Sequence, residues 1–406
     1  MDKFNETILK ELSQGTSPSA TNIVDHMLCH AHSTHASDIH IEPEARGIRI
    51  RFRIDGVLED SKTLPRELHE EIISRIKVLS KLRTDEHSAP QDGRFRATIH
   101  KDTLVDVRVS IVPTFHGETV VLRLLSNHGE EFTLQTLGFS TSDALHIQHA
   151  LRNSTGMILV TGPTGSGKTT TLYTLIKMLN SKKISIVTIE DPIEYSIDGI
   201  EQIQVNARNG LTFANGLRSI LRQDPNIIMV GEIRDTETAS IAVNTALTGH
   251  LLLSTLHTSD AATTLPRLLD MKIEPFLVSS TVSIAIGQRL VRKICTHCKV
   301  RTPLTEEESI SLSELIPKEL LDNTKDFYEG RGCNHCHQTG YAGRIIIAEV
   351  LVANEEIRNA ILLKASAREM KQIAVKHGMT PLLMDGFYKA KEGLTTIKEI
   401  LRVAEV

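Results

Sequence analysis

The chain has 406 residues, which at roughly 100 to 200 residues per domain implies two to four domains and excludes a single small module. With 40% hydrophobic and 24% charged residues global disorder is excluded, and a net charge of -4 removes any whole-chain electrostatic case for nucleic acid or anionic lipid. No run reaches the roughly 18 to 20 apolar residues of a spanning helix, and the start MDKFNETILKELSQG lacks a cationic segment before an apolar core, so a cytoplasmic protein is expected.

Residues 1–20 are polar and end in a Ser/Thr-rich stretch, the expected N-terminal tail. From Asn22 to His32 the apolar positions Ile23, Met27 and Leu28 fit a short amphipathic helix. The period then becomes two: Ile39 and Ile41 alternate with polar residues, and Ile48, Ile50, Phe52 and Ile54 alternate with Arg49, Arg51 and Arg53. Asp55-Gly56 supplies a tight hairpin turn. Helical spacing returns from Leu68 to Leu82, and strands are predicted at Leu104–Ser110 and Glu118–Leu124. Residues 21–125 therefore read as a small α+β domain with one helix-covered sheet.

The polar segment 126–139 is expected to be a linker. Beyond it the apolar runs MILVT, ISIVTI, NIIMV and LLLST alternate with helical stretches, as fully buried parallel strands do, so 140–290 is predicted as a doubly wound α/β domain. Four cysteines fall in 291–343, and 344–406 is expected to be helical.

One motif carries the chemistry. Gly162-Pro163-Thr164-Gly165-Ser166-Gly167-Lys168-Thr169 matches G-x-x-x-x-G-K-[ST] directly after MILVT and before a helical pattern that starts with Thr170. Glycines let successive N–H groups converge on phosphate oxygens, and the helix N-terminus adds positive potential. Lys168 is expected to reach the β and γ phosphates and Thr169 to offer its hydroxyl to Mg2+. Two acid sets follow strands: Glu190, Asp191 and Glu194, then Glu232 after Gly231. Because glycine stands where the second nucleotide motif usually ends in Asp, a water-bridged contact from Glu232 to the metal is expected.

Together with HASDIHIEP, RFRIDG, PQDGR at 90–94, TIEDPIEY at 188–195, LRSILRQDPNIIMVGEIRD at 217–235 and TGHLLLSTLHT at 248–258, the chain resembles the type II secretion and type IV pilus assembly ATPases, from about Ala36 onward. The resemblance implies a RecA-like P-loop NTPase domain preceded by a PAS-like α+β domain, and a homohexameric motor of the translocase kind acting on an inner-membrane platform protein to assemble pilins or pseudopilins. It implies Glu190 as general base with Asp191 and Glu194 in the same pocket, Glu232 near Mg2+, and His250 and His257 as residues that sense the γ-phosphate or couple it to the neighbouring domain. It also implies that Arg94 and Arg108 of the first domain, and Arg218 with Arg222, close on ATP, as an arginine beside the equatorial oxygens contributes roughly 10³ to 10⁵ in rate. For Arg218 and Arg222 the i, i+4 spacing equally suits an ordinary solvated helix face. A chain of this length leaves no room for the extra N-terminal domain of larger members, so a minimal motor is expected, peripheral at the cytoplasmic membrane.

Cys295-x-x-Cys298 and Cys333-x-x-Cys336 in a reducing compartment point to a tetrahedral structural Zn2+ before disulfides, with the neighbouring histidines ranked below the thiols. Within the family this insertion marks assembly and secretion motors rather than retraction motors. Lone Cys29 is expected to be a core thiol. Three alternatives stay open: a retraction ATPase, a zinc-containing nucleic-acid-binding NTPase using the arginine strand, and an adaptor that binds ATP without cleaving it. Against the second, alternating arginines are explained by a strand with one wet face, and direct nucleic-acid contact is not expected.

Overall fold

A computed structural model of the protein describes residues 19–99, 103–125, 132–316 and 327–404. The expected tail lies outside these residues except for its end. The chain divides into two compact units, one running through residue 130 and the other from 131 onward.

In the first unit β1 (Ala36–Pro43), β2 (Ile48–Ile54), β3 (Val57–Leu64), β4 (Gln91–Ile99), β5 (Thr103–Thr114) and β6 (Gly117–Leu125) form one antiparallel sheet in the order β3-β2-β1-β6-β5-β4. The helices Ala20–Ser33 and His69–Leu79 cover one face, where Ile23, Met27, Ile72 and Ile76 pack with Ile39, Ile41, Ile50, Phe52 and Val107. Cys29 is half-buried against this core. Asp55 and Gly56 both take positive φ, 48° and 87°, which sets the twist of the β2–β3 hairpin. On the wet face each arginine of β2 meets a carboxylate: Arg49 pairs with Asp60 at 2.8 Å, Arg51 with Glu42 at 2.5 Å and Arg53 with Asp38 at 3.5 Å. Neutralised in this way, the strand offers little to a phosphate backbone.

The second unit is built on a seven-stranded sheet of β7 (Gly156–Thr161), β8 (Ile186–Glu190), β9 (Glu201–Gln204), β10 (Ile227–Val230), β11 (Leu251–Leu256), β12 (Val282–Ile294) and β15 (Tyr341–Val352), ordered β15-β12-β7-β11-β10-β8-β9. All neighbours are parallel except β12 and β15. β7, β8, β10 and β11 are buried along their whole length, and apolar cores lie on both faces of the sheet.

Three expected boundaries change here. The cuts after 290 and after 343 fall inside β12 and β15, which pair with each other from Ile284↔Val352 to Ile294↔Tyr341. The cysteine module is thus an excursion between two hydrogen-bonded strands, containing β13 (Lys299–Thr302), β14 (Phe327–Gly330) and the helix Glu306–Leu315, whose Leu312 packs with Phe327, Phe387 and Ile400. Residues 344–352 are strand, and the helical part starts at Glu355. Residues 126–131 of the expected linker lie outside the described residues, whereas Leu134, Leu137 and Phe139 belong to the second unit's core around the short helix Leu134–Leu137.

Candidate nucleotide and zinc sites

β7 ends at Thr161, and the loop after it turns into the helix Lys168–Leu179. Gly162, Gly165 and Gly167 adopt φ of 145°, 79° and 88°, a region that side chains resist. At Gly162 a Cβ would stand 2.4 Å from the carbonyl oxygen of Gln288. Gln288, fully buried on β12, holds the loop from below: its Nε2 donates to the Ser166 carbonyl at 2.8 Å and its Oε1 accepts from Thr171 at 2.9 Å. Pro163 and Thr170 are half-buried, while Thr164, Gly165 and Thr169 are exposed on the rim and first turn. Ser166 is buried and its Oγ has no partner.

Lys168 is 9% exposed and donates to the carbonyls of Gly162 and Pro163 at 2.9 and 3.0 Å. Burial, and then the charge of Arg289, push its ammonium down to about 8 against the opposing pull of Glu232. A loop of positive-φ glycines, a helix N-terminus and a half-desolvated lysine form a cradle for a polyphosphate.

The acids behave differently from one another. Glu190 ends β8 at 2% exposure, and both oxygens are engaged: Oε2 accepts from the Tyr173 hydroxyl, and Oε1 from Thr188 at 2.6 Å and Gln202 at 3.2 Å. Burial and the Glu190 carboxylate hold the Tyr173 phenol well above its ordinary range, which keeps it a donor. Three fixed donors thus hold the carboxylate of Glu190, the expected general base, at the foot of the acidic box. Asp191 is exposed, and Glu194, half-buried, gives its N–H to Tyr173 at 3.3 Å. Glu232, 8% exposed after β10, is the acid whose charge acts on Lys168; its Oε2 meets Arg234 at 2.5 Å and His257 Nε2 at 3.2 Å.

The two histidines of TGHLLLSTLHT separate. His257 follows the C-terminal end of β11 and reaches Glu232, whereas His250 precedes Leu251 and contacts the Thr245 carbonyl at 3.2 Å. Its own carbonyl receives the N–H of Gly156, the first residue of β7, so His250 lies at the end of the sheet opposite the phosphate loop. A strand therefore separates His250 from the phosphate loop of its own chain, where parallel sheets place ligands, and of the two expected roles this position suits coupling rather than direct contact. Arg218 and Arg222 are also taken up locally, Arg218 by Glu237 at 2.7 Å and Asn215 at 3.2 Å, Arg222 by the Arg218 carbonyl and Ser219, each at 3.1 Å. The solvated-face alternative describes them. In the first unit, exposed Arg94 stands directly across from half-buried Arg108, and Arg108 across from Arg123, whose Nε donates to Asp38 at 2.8 Å. These registers set the three arginines side by side on neighbouring strands.

The four cysteine Sγ atoms lie within 4.8 Å of one another, with Cys295–Cys333 and Cys298–Cys336 at 3.8 Å and Cys333–Cys336 at 3.7 Å. A tetrahedral Zn2+ with bonds of about 2.3 Å requires S···S separations of about 3.8 Å, so the donor set fits. The N–H groups of Cys333 and Gly340 point at Cys336 Sγ from 3.2 and 3.3 Å. Burial raises the Cys336 thiol, but these donors outweigh it and bring it down to about 7. His297 and His335 stack on each other with centroids 3.9 Å apart, outside the sulfur cluster.

Tyr173, Gln202, Arg234, Gln288 and Arg289 were not singled out by sequence; the one available signal was a polar Gln-Arg pair interrupting the apolar run of β12.

The fold and the loop define a RecA-like P-loop ATPase. The model of the Type II/IV secretion system protein family matches residues 13–402, and the chain belongs to that family. It is 47% identical over 94% of its length to type II secretion system protein E of Xanthomonas campestris pv. campestris, and 44% identical over 93% to type IV pilus assembly ATPase PilB of Myxococcus xanthus. It spans 67% of the length of each. Among solved structures, Legionella pneumophila ATPase DotB superposes with a TM-score of 0.68 at 25% identity, covering 95% of this chain and 96% of that one. The pilus retraction motor PilT with bound ADP gives 0.61 at 26% identity, covering 94% and 96%. Secretion and pilus-assembly ATPases are thus this chain's relatives, and the assembly reading fits better than the retraction one.

Proposed function

We propose that the protein hydrolyses ATP to power pilin or pseudopilin assembly as a hexamer at the cytoplasmic face of the inner membrane, acting on a membrane platform protein. The observation that carries this is the desolvated Lys168 in a glycine loop, with Glu232 as its charge partner. Lys168, the loop N–H groups and the helix N-terminus bind the phosphates. The Thr169 hydroxyl, with Glu232 nearby, would hold Mg2+, which would supply neutralising charge to the phosphates. Glu232, hydrogen-bonded to His257 and Arg234, takes the proton of the attacking water, and His257 fixes its orientation. Glu190, held by Tyr173, Thr188 and Gln202, positions Asp191 and Glu194. Arg94 and Arg108 are the proposed further cations once chains assemble. Cys295, Cys298, Cys333 and Cys336 would hold Zn2+, which would tie the module together at the end of β12. Among the described residues no helix is long and apolar enough to cross a membrane. Phosphate release from ATP, lost in Lys168→Ala, tests the enzyme; a chain that binds ATP and releases no phosphate is the adaptor instead. Copurification with the platform protein from membranes tests the partner, and recovery of the motor without it would refute that part.

A further inference from the structure

β12 carries one more cation next to the phosphate loop. Arg289 follows Gln288, is 8% exposed, and its hydrogen bond among the described residues is from Nη1 to the Gln288 carbonyl at a long 3.4 Å. Its Nε is buried with no hydrogen-bond partner among the described residues. The carboxylates whose charge it feels, Glu349 and Asp260, are committed elsewhere. Glu349 accepts from the N–H groups of Ala261 and Leu382 at 2.8 and 3.1 Å and stands 3.6 Å from Lys371. Asp260 caps the helix Ala261–Asp270 through the Thr263 N–H at 2.8 Å and meets Lys371 at 3.4 Å. Toward the loop, the Gln288 carbonyl that Nη1 meets lies 2.4 Å from where a Cβ on Gly162 would stand, and the Oγ of Ser166 is a second buried group without a partner among the described residues.

Two buried cations and an unpaired hydroxyl around one loop form an arrangement whose unmet donors a bound anion would satisfy, and a guanidinium buried with unmet donors is costly until one arrives. We propose that Arg289 binds the β phosphate of the nucleotide in its own chain, together with Ser166 and Lys168, as a cis arginine supplied by β12. This rests on the loop being a nucleotide site. The rival account makes Arg289 a charge balance for Glu349 and Asp260, a role that affects folding and leaves nucleotide affinity untouched.

The test is titration of the full-length, zinc-loaded chain with a fluorescent ADP analogue in wild type, Arg289→Gln and Arg289→Lys, with thermal unfolding as the check on folding. Losing a charge-assisted hydrogen bond is expected to weaken ADP by about 10- to 100-fold in Arg289→Gln, with part of the loss recovered in Arg289→Lys. A folded Arg289→Gln that binds ADP like wild type overturns the proposal. If Arg289→Gln does not fold, Arg289→Lys decides: weaker binding than wild type supports a forked phosphate contact, and equal binding overturns it. Wild type that does not bind ADP at all overturns the nucleotide reading itself, which separates that failure from the failure of Arg289 alone.

Discussion

The lysine of the phosphate loop sets a pH dependence of nucleotide binding that an exposed lysine would not show. With its ammonium at about 8 in the ligand-free chain, Lys168 passes from mostly charged at pH 7 to mostly neutral at pH 9. A bound polyphosphate raises that value, because the anion favours the charged form. Affinity is therefore fully present below about pH 8 and declines as pH rises toward the value in the complex; between pH 7 and 9 the charged fraction falls from about nine-tenths to about one-tenth, so ADP binding weakens about tenfold. The terminal phosphate, with a second pKa near 6, adds almost nothing in this window. A lysine at its ordinary value of about 10.4 would lose only a few per cent of its charge by pH 9. The assay is titration with a fluorescent ADP analogue at constant ionic strength from pH 7 to 9, with calorimetry in two buffers to count protons; at pH 8.5 about three-quarters of a proton is taken up per ADP bound. Lys168→Arg stays charged throughout and should flatten the curve. Equal wild-type affinity at pH 7 and 9, or the same tenfold drop in Lys168→Arg, would refute the reasoning.

Four further outcomes follow from the site. Glu232→Gln is expected to retain ADP binding and lower turnover by about 10² to 10⁴ in a phosphate-release assay; turnover near wild type would move the base elsewhere. Tyr173→Phe strips a donor from the buried Glu190 and should cost about 1 to 3 kcal/mol of stability in urea unfolding, and an unchanged midpoint would show that the bond contributes nothing. His257→Ala should slow turnover while His250→Ala leaves ADP affinity unchanged, so a binding defect in His250→Ala would contradict its place at the far end of the sheet. Metal analysis should find one zinc per chain, lost in Cys336→Ser with a lower melting temperature; a wild-type preparation with no zinc and the same melting temperature would dismiss the site.

Much of the architecture was legible because burial writes itself into periodicity. The Ile/Arg alternation of β2 has one wet face, the Asp55-Gly56 turn takes the expected positive φ, and four apolar runs became the buried strands β7, β8, β10 and β11. β12 and β15 escaped because their pairing joins residues 47 to 68 positions apart, and because Gln288 and Arg289 break an apolar run, Gln288 to clamp the phosphate loop. The site divides the same way. The glycine loop is local in sequence and was readable, but the state of Glu190 depends on Tyr173, Thr188 and Gln202, drawn from a helix and two strands. His250 and His257 sit in one motif, yet the β11 residues between them, at about 3.3 Å each, carry them roughly 20 Å apart.

β12 is where the separate parts of the second unit meet. At Gln288 it clamps the phosphate loop, and at Arg292 its N–H and guanidinium both reach the buried Glu399 of the C-terminal helix, at 2.9 and 2.8 Å. Arg292 also stacks on Tyr341, 4.0 Å from the ring centroid, where β15 returns from the cysteine module. Cys295, the first thiol, comes directly after the strand ends at Ile294. From Gln288 to Cys295 is about 24 Å of extended chain, hydrogen-bonded to β15 over most of that span. A paired strand resists stretching and bending, so β12 ties the phosphate loop to the mouth of the cysteine module through its ladder with β15, interrupted by one register shift between Arg292 and Ile294.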